Sequence, residues 1–246
     1  MDRSLYVAMS GAKETLLAQT SNNHNLANAG TNGFKADLSA FQSRAVQGPG
    51  YASRVYSTDA TVGFDNTTGA LAATGQELDV AVQGDGWIAV QGRNGQEAYT
   101  RAGDLHVDVN GLLLTATGHP VLNDSGPISI PPYTTIHVGR DGTISIVPVG
   151  QQASTMAAIA RIKLVNPPAS ALLRGEDGLF HTTNGTPADG DASVSLASGV
   201  LESSNVNVAD AMVQMIELAR RFDLQIKAMK NTDENAQVTA KLLGLS

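Results

Sequence analysis

A chain of 246 residues with a formal charge of −7 and no cysteine is long enough for one or two domains with a real core, and it excludes disulfides and thiolate metal sites. The acid excess lies in the middle: residues 1–35 carry Arg3, Lys13 and Lys35 against Asp2 and Glu14, and residues 205–246 carry five acids and five bases. Without grouped Lys and Arg to neutralise phosphates, nucleic acid and an anionic membrane surface are both poor partners.

The opening stretch MDRSLYVAMSGAKETLL breaks its apolar run at Ser10, Gly11 and Lys13. It is too short and polar for a secretory segment or a membrane span, so neither a cleaved signal nor membrane insertion is expected. Leu5, Met9, Ala12 and Leu16 fall in steps of four and three, and Gln19, Asn23 and Leu26 continue them in more polar form, which predicts an amphipathic helix. Asn28, Gly30 and Gly33 end it near Ala27–Ala29. Residues 36–77 are punctuated by Gly48, Pro49, Gly50, Gly63, Gly69 and Gly75 and read as an irregular connector, with short extended pieces at Arg54–Tyr56 and Gly69–Ala72.

From Leu78 the period switches to two. LDVAVQ, WIAVQ, AYTR, LHVDV, LLLTA and ISI are short strands separated by Gly84-Asp85-Gly86, Asn94-Gly95, Asn110-Gly111 and Asp141-Gly142. Turns at this spacing predict an antiparallel β domain, residues 78–204, carried between helical termini at 1–35 and 205–246. The fold class is therefore α+β, mainly β. MAAIARIKLV is read as a strand entered from a loop, because it stops at Pro167. Asn207 is the expected N-cap of the last helix, with Asp210 placing negative charge on its first turn.

That last helix carries the longest pattern in the chain. Val208, Met212, Met215, Ala219, Phe222, Ile226, Met229, Asp233, Ala236, Ala240 and Leu243 alternate in steps of four and three, and all but Asp233 are apolar. Such a seam belongs to a helix packed lengthwise against other helices. It spans ~54 Å at about 1.5 Å per residue, more than a domain of this size needs.

Catalytic constellations do not assemble. Gly84-Asp85-Gly86 and Gly139–Gly142 lack the Lys-Ser/Thr of a phosphate loop and read as turns. The carboxylate pairs Glu77/Asp79, Asp104/Asp108, Glu176/Asp177 and Asp189/Asp191 lie mostly in Gly-rich turns where neither acid is desolvated, which makes a wall-remodelling or carbohydrate-binding β protein the lesser alternative. The five His, at 24, 106, 119, 137 and 181, show no His-x-x-x-His spacing, and no Gly-x-Ser-x-Gly elbow is present. His24 alone reads as a surface histidine rather than a ligand. No enzyme activity, cofactor or metal is expected.

The stretch SNNHNLANAGTNGFK, Ser21–Lys35, resembles the N-terminal signature of bacterial flagellar axial proteins, the rod and hook subunits. LDVAVQGDGWIAV, YTRAGDLHVDVNGLLLT and IHVGRDGTISI are similar to the family's β-domain pattern, with Trp87, Ile88 and Leu105 standing where Phe is usual. Gly199–Val206 resembles its G-x-LE-x-SNV signature. Within the family, MDRSLYVAMSGAKETL and the modest length look most like a proximal-rod subunit, with a distal-rod subunit the close alternative. The resemblance implies a structural subunit exported through the flagellar type III apparatus and located in the basal body, in the rod that spans the periplasm. Its implied partners are other rod subunits, the distal-rod protein and more proximal ones among them, with self-association possible.

The terminal helices are expected to form an antiparallel coiled-coil-like hairpin, placing Leu5 near Leu243 and Lys13 within a turn or so of Asp233. The surface expected to meet neighbouring subunits joins the seam residues Leu5, Met9, Ala12, Leu16, Leu26, Met212, Met215, Ala219, Phe222, Ile226, Met229 and Leu243 with the motif residues Asn23, Asn25, Asn28, Phe34 and Asn205.

Overall fold

A computed structural model describes residues 3–45, 55–151 and 155–244; the side chains of Ala240 and Leu243, two positions of the expected seam, lie outside the described residues. The protein is mainly β with a helix at each end. It divides into two compact units, Met1–Ala29 with Ala36–Asp65 and Val206–Ser246, and Gly30–Lys35 with Asn66–Asn205.

Unit 1 holds α1 (Arg3–Ala27), β1 (Asp37–Ala45), β2 (Val55–Phe64) and α2 (Val208–Gly244). Where an irregular connector was expected, β1 and β2 pair antiparallel from Asp37↔Phe64 to Ala45↔Val55, with a bulge between Leu38 and Ser39. The ribbon lies against α1, which supplies the support that two isolated strands lack in water. Helix α1 stops where expected: Asn28 donates from both its backbone N and its Nδ2 to the carbonyl of His24, at 3.1 and 2.9 Å. Asn207 caps α2, its Oδ1 accepting from Ala209 N at 3.0 Å and Asp210 N at 3.4 Å.

Two contacts set how the helices meet. Asn22 Nδ2 donates to Ala211 O at 2.7 Å, and a Cβ on Gly11 would come within 3.0 Å of Gln225 Nε2. These contacts run in opposite order along α1 and α2. They also correct the expected register. Lys13 stands level with the region near Phe222, so Asp233 lies roughly ten residues, about 15 Å, farther along. Among the described residues no ion pair joins the two, and Asp233 instead accepts from Gln237 Nε2 at 3.0 Å. Aligning the helix ends was the error: α2 has 37 residues and α1 has 25. Leu5 is likewise level with the region beyond Met229, far short of position 243.

The seam of α2 is corrected by one residue at two positions. Met215, Phe222, Met229 and Ala236 are half-buried as expected, but Ala211 and Leu218 are buried where Met212 and Ala219 were expected, and both of those are exposed. Both readings obey the 4-3 spacing. The small Ala211 wins because it lets Asn22 reach the backbone.

Unit 2 contains β3 (Leu71–Ala73), β4 (Val80–Gln83), β5 (Trp87–Gln91), β6 (Glu97–Thr100), β7 (Leu105–Val107), β8 (Leu113–Thr115), β9 (Leu122–Asn123), β10 (Gly126–Pro127), β11 (Tyr133–Val138), β12 (Thr143–Pro148), β13 (Ala157–Arg161), β14 (Leu164–Val165), β15 (Leu172–Arg174), β16 (Phe180–Thr182), β17 (Ser195–Ser198) and β18 (Val200–Glu202). Its largest sheet has the order β14-β5-β6-β16-β15, and β11-β12-β13 form a second; the paired strands are antiparallel, as the turn spacing predicted. MAAIARIKLV is extended as expected, broken at Ile162–Lys163 into β13 and β14. Alternating residues of these strands, including Val80, Ile88, Leu113, Ile144 and Leu196, form one apolar core.

The last strands close onto the first: β17 pairs with β4 from Ser195↔Gln83 to Ser198↔Val80, and β18 pairs with β3 from Val200↔Ala73 to Glu202↔Leu71. Glycines, Gly33 and Gly103 among them, permit close backbone approach in this unit. Gly33 has φ +67°, and a Cβ on it would meet the Arg101 carbonyl carbon at 2.2 Å; one on Gly103 would meet Val80 O at 1.7 Å.

Gly33→Ala should therefore lower the urea-unfolding free energy by about 2–4 kcal/mol, whereas Gly30→Ala, with open space around it, should change it by less than about 0.5 kcal/mol. Tyr99 supplies a second check. Burial pushes its phenol from 10.0 up to about 12; the backbone N–H of Ala188 lowers it, and Glu97 Oε1, which accepts from it at 2.9 Å, raises it. A folded value above the unfolded one means the contribution is fully present below about pH 10 and is lost as pH climbs toward 12. Thermal unfolding should show this alkaline loss, and Tyr99→Phe should remove it.

Candidate functional site

Each unit contributes one feature of functional interest. In unit 1 it is the outward face of the helices. The buried positions of α1 are small or polar: Ala8, Ala12, Glu14, Thr15, Ala18 and Asn22. Its large apolar side chains point out, with Tyr6 56%, Met9 50% and Leu16 52% exposed. Helix α2 buries Ala211 and Leu218 but exposes Met212, Val213, Ile216, Leu224, Val238 and Leu242. Glu14 is buried, and its Oε2 has no hydrogen-bond partner among the described residues, a further cost inside this unit.

The residues singled out from sequence separate into three groups. Met9, Leu16, Asn23, Met212 and Ala219 are exposed, and Ala12 is buried. Leu5, Asn25, Leu26, Asn28, Phe34, Asn205, Met215, Phe222, Ile226 and Met229 are half-buried. The side chain of Leu243 lies outside the described residues. Several motif residues make internal bonds. The Asn25 side chain pairs with the Asp37 backbone, donating to its O at 3.0 Å and accepting from its N at 2.8 Å, which holds the start of β1 to α1. His24 Nδ1 lies 2.7 Å from Asp37 Oδ2. Beside these residues opens a cleft of 310 Å³ lined by Asn22, Asn25, Asp37, Gln214, Glu217 and Arg221 among others.

In unit 2 the feature is a clamp that sequence reasoning did not identify. Glu202 accepts from Lys35 Nζ at 2.7 Å through Oε1 and from Arg101 Nη1 at 3.0 Å through Oε2, and all three side chains are fully buried. Oε1 also accepts from Gly69 N at 2.9 Å. Lys35 Nζ reaches Thr67 O at 2.7 Å and Arg101 Nη2 reaches Gly84 O at 2.7 Å, so both cations have carbonyl partners as well. Arg101 Nε has no partner, and the guanidinium carbon stands 5.5 Å from the Trp87 ring centroid.

Backbone bonds bracket this charge cluster, from Gly33 N to Glu202 O at 2.7 Å and from Asn205 N to Phe34 O at 3.2 Å. Arg174 stacks over Phe34 at 4.4 Å and Phe180 at 4.8 Å and donates to the Lys35 carbonyl. Phe34 and Asn205 are thus engaged inside unit 2, Asn205 Nδ2 also donating to Thr67 O at 3.1 Å. A signal was available for the clamp: Lys35, Arg101 and Glu202 each sit in a separate motif, TNGFK, YTRAG and GVLESSNV. Nothing local tells that the three charges meet. Among the described residues no group of three His, Asp or Glu is arranged to hold a metal.

Comparisons with known proteins place the chain in a family. Residues 81–146, which include Arg101, match a family model described as the flagellar hook protein FlgE/F/G D1 domain. Residues 197–242, which include Glu202, match one described as the flagellar basal body rod FlgEFG protein C-terminal. The chain is 43% identical to the flagellar basal-body rod protein FlgF of Escherichia coli K12 over the full length of both, and 42% identical, over the same coverage, to FlgF of Salmonella typhimurium LT2. It is 31% identical to FlgG of Bacillus subtilis 168, over 98% of this chain and 99% of that one. With full-length similarity well above the level that shared fold alone requires, the chain belongs to the family of flagellar basal-body rod proteins.

Proposed function

We propose that this chain is a structural subunit of the flagellar basal-body rod that polymerises through the outer faces of its two terminal helices. The observation that carries the reading is the outward placement of large apolar residues in unit 1: α1 buries small and polar residues, while Tyr6, Met9, Leu16, Met212 and Ile216 remain at least half exposed. Such faces on a soluble chain are surfaces for another protein. In this reading α1 and α2 act as an antiparallel, coiled-coil-like hairpin whose unburied side is completed by neighbouring subunits. Different surfaces meeting head to tail build an open helical array when the rotation does not close. The chemistry is assembly without turnover.

The greater identity to FlgF, 43% against 31% for FlgG, favours the FlgF position, the proximal rod. A distal-rod place is the second reading, because the FlgG relatives also align over nearly the whole chain. Partners are then neighbouring rod subunits, further copies of this chain, and the type III apparatus that exports it toward the periplasm-spanning rod.

Charged substitutions on the outer faces test the reading. Met9→Glu with Leu16→Glu, or Met212→Glu with Ile216→Glu, should abolish incorporation into rod particles seen by electron microscopy. Unfolding free energy of the isolated chain should move by less than about 0.5 kcal/mol per site. Normal incorporation would refute the reading. In the unassembled chain, hydrogen exchange should be fast in α1 and α2 and slow in unit 2, since ends that order on incorporation are poorly protected before it. Strongly protected helices in the isolated chain would remove that part of the proposal.

A further inference from the structure

The clamp in unit 2 also sets an order of events. Lys35 and Arg101 enter the fold from segments 167 and 101 residues earlier than the carboxylate they share. Both cationic side chains are fully buried. Before Gly199–Asn205 docks, closing the sheets around Lys35 and Arg101 would bury two like charges without that common counter-charge, and desolvating a charge without its ion partner is strongly unfavourable.

The same short segment completes the backbone around them. Glu202 O accepts from Gly33 N at 2.7 Å, Ser203 N donates to Ala70 O at 2.8 Å, and β18 pairs with β3. Neutral carbonyls, Thr67 O for the lysine and Gly84 O for the arginine, orient the cations but supply no net negative charge. We infer that unit 2 closes only when Glu202 docks between Lys35 and Arg101, so that folding of the β unit is gated by the part of the chain that precedes α2. The β unit then stays open until all but the last helix is available to it. The inference does not depend on the rod reading; it concerns the order in which this chain folds.

The chain holds one tryptophan, Trp87, and it lies beside Arg101, so its fluorescence reports closure directly. Refolding and unfolding of the full chain from urea, followed by stopped flow, separate gating from late stabilisation. Glu202→Gln keeps the shape of the side chain and removes the charge. It should slow refolding by about tenfold or more, with a smaller change in unfolding rate, as for an interaction already formed in the transition state.

Removing one cation as well, in Lys35→Met with Glu202→Gln, should recover part of the lost refolding rate, Arg101 still lacking its counter-charge. A Glu202→Gln protein that refolds at the parent rate and only unfolds faster would overturn the inference, because Glu202 would then dock after closure. A double variant no faster than the single would also overturn it. If Glu202→Gln does not fold, folding of the double variant supports the gate, and failure of both refutes it.

Discussion

Two buried cations share one carboxylate in unit 2, and much of that unit's local sequence follows from the arrangement. Placing Lys35 and Arg101 beside Glu202 requires backbones to pass closer than side chains permit. Glycine therefore stands at Gly33, Gly69 and Gly103, where an added Cβ would lie 2.2 Å from the Arg101 backbone, 1.9 Å from Ser203 O and 1.7 Å from Val80 O. Burying ionised groups costs several kcal/mol each before their mutual attraction returns it, so the cluster is weak support for net stability. Only the native pairing of β3 with β18 and β4 with β17 brings all three charges together, and a slipped register strands at least one of them.

How much of this was legible in the sequence depended on whether the signal was periodic. The β unit declared itself by alternation and by Asn-Gly and Asp-Gly turns, and both helix ends by Asn28 and Asn207. The β1–β2 ribbon did not. Its residues, DLSAFQSRA and VYSTDATVGF, alternate only loosely and are flanked by glycines, and a lone two-stranded ribbon depends on what it packs against, here α1. The seam of α2 lies one residue from the expected one at two positions, because Ala211 and Met212, like Leu218 and Ala219, are both apolar. Spacing alone could not choose between them, and the choice came from Asn22 bonding to the backbone of Ala211. The clamp was invisible for a different reason. Its three residues were each noticed within a motif, yet a buried ion cluster has no period, and its partners are more than a hundred residues apart.

The two units distribute their apolar residues in opposite ways, and the contrast bears on what each is for. Unit 2 buries Val, Ile and Leu side chains in a continuous core and pairs Glu202 with both Lys35 and Arg101. In α1 Ala, Thr, Asn and a partly unpartnered Glu are buried, while Met, Leu and Tyr are left outside. Apolar area removed from water contributes roughly 25 cal/mol per Å², so α1, which buries small side chains and exposes several large ones, leaves much of its available hydrophobic free energy unused. Exposed faces of this kind gain that free energy only when something covers them. In the proposed assembly this division has a use: unit 2 keeps its shape while the outer faces of unit 1 are covered by the next molecule. Were unit 1 as well packed as unit 2, there would be little gain in free energy from assembly; were unit 2 as incomplete as unit 1, the free chain would have no stable part at all.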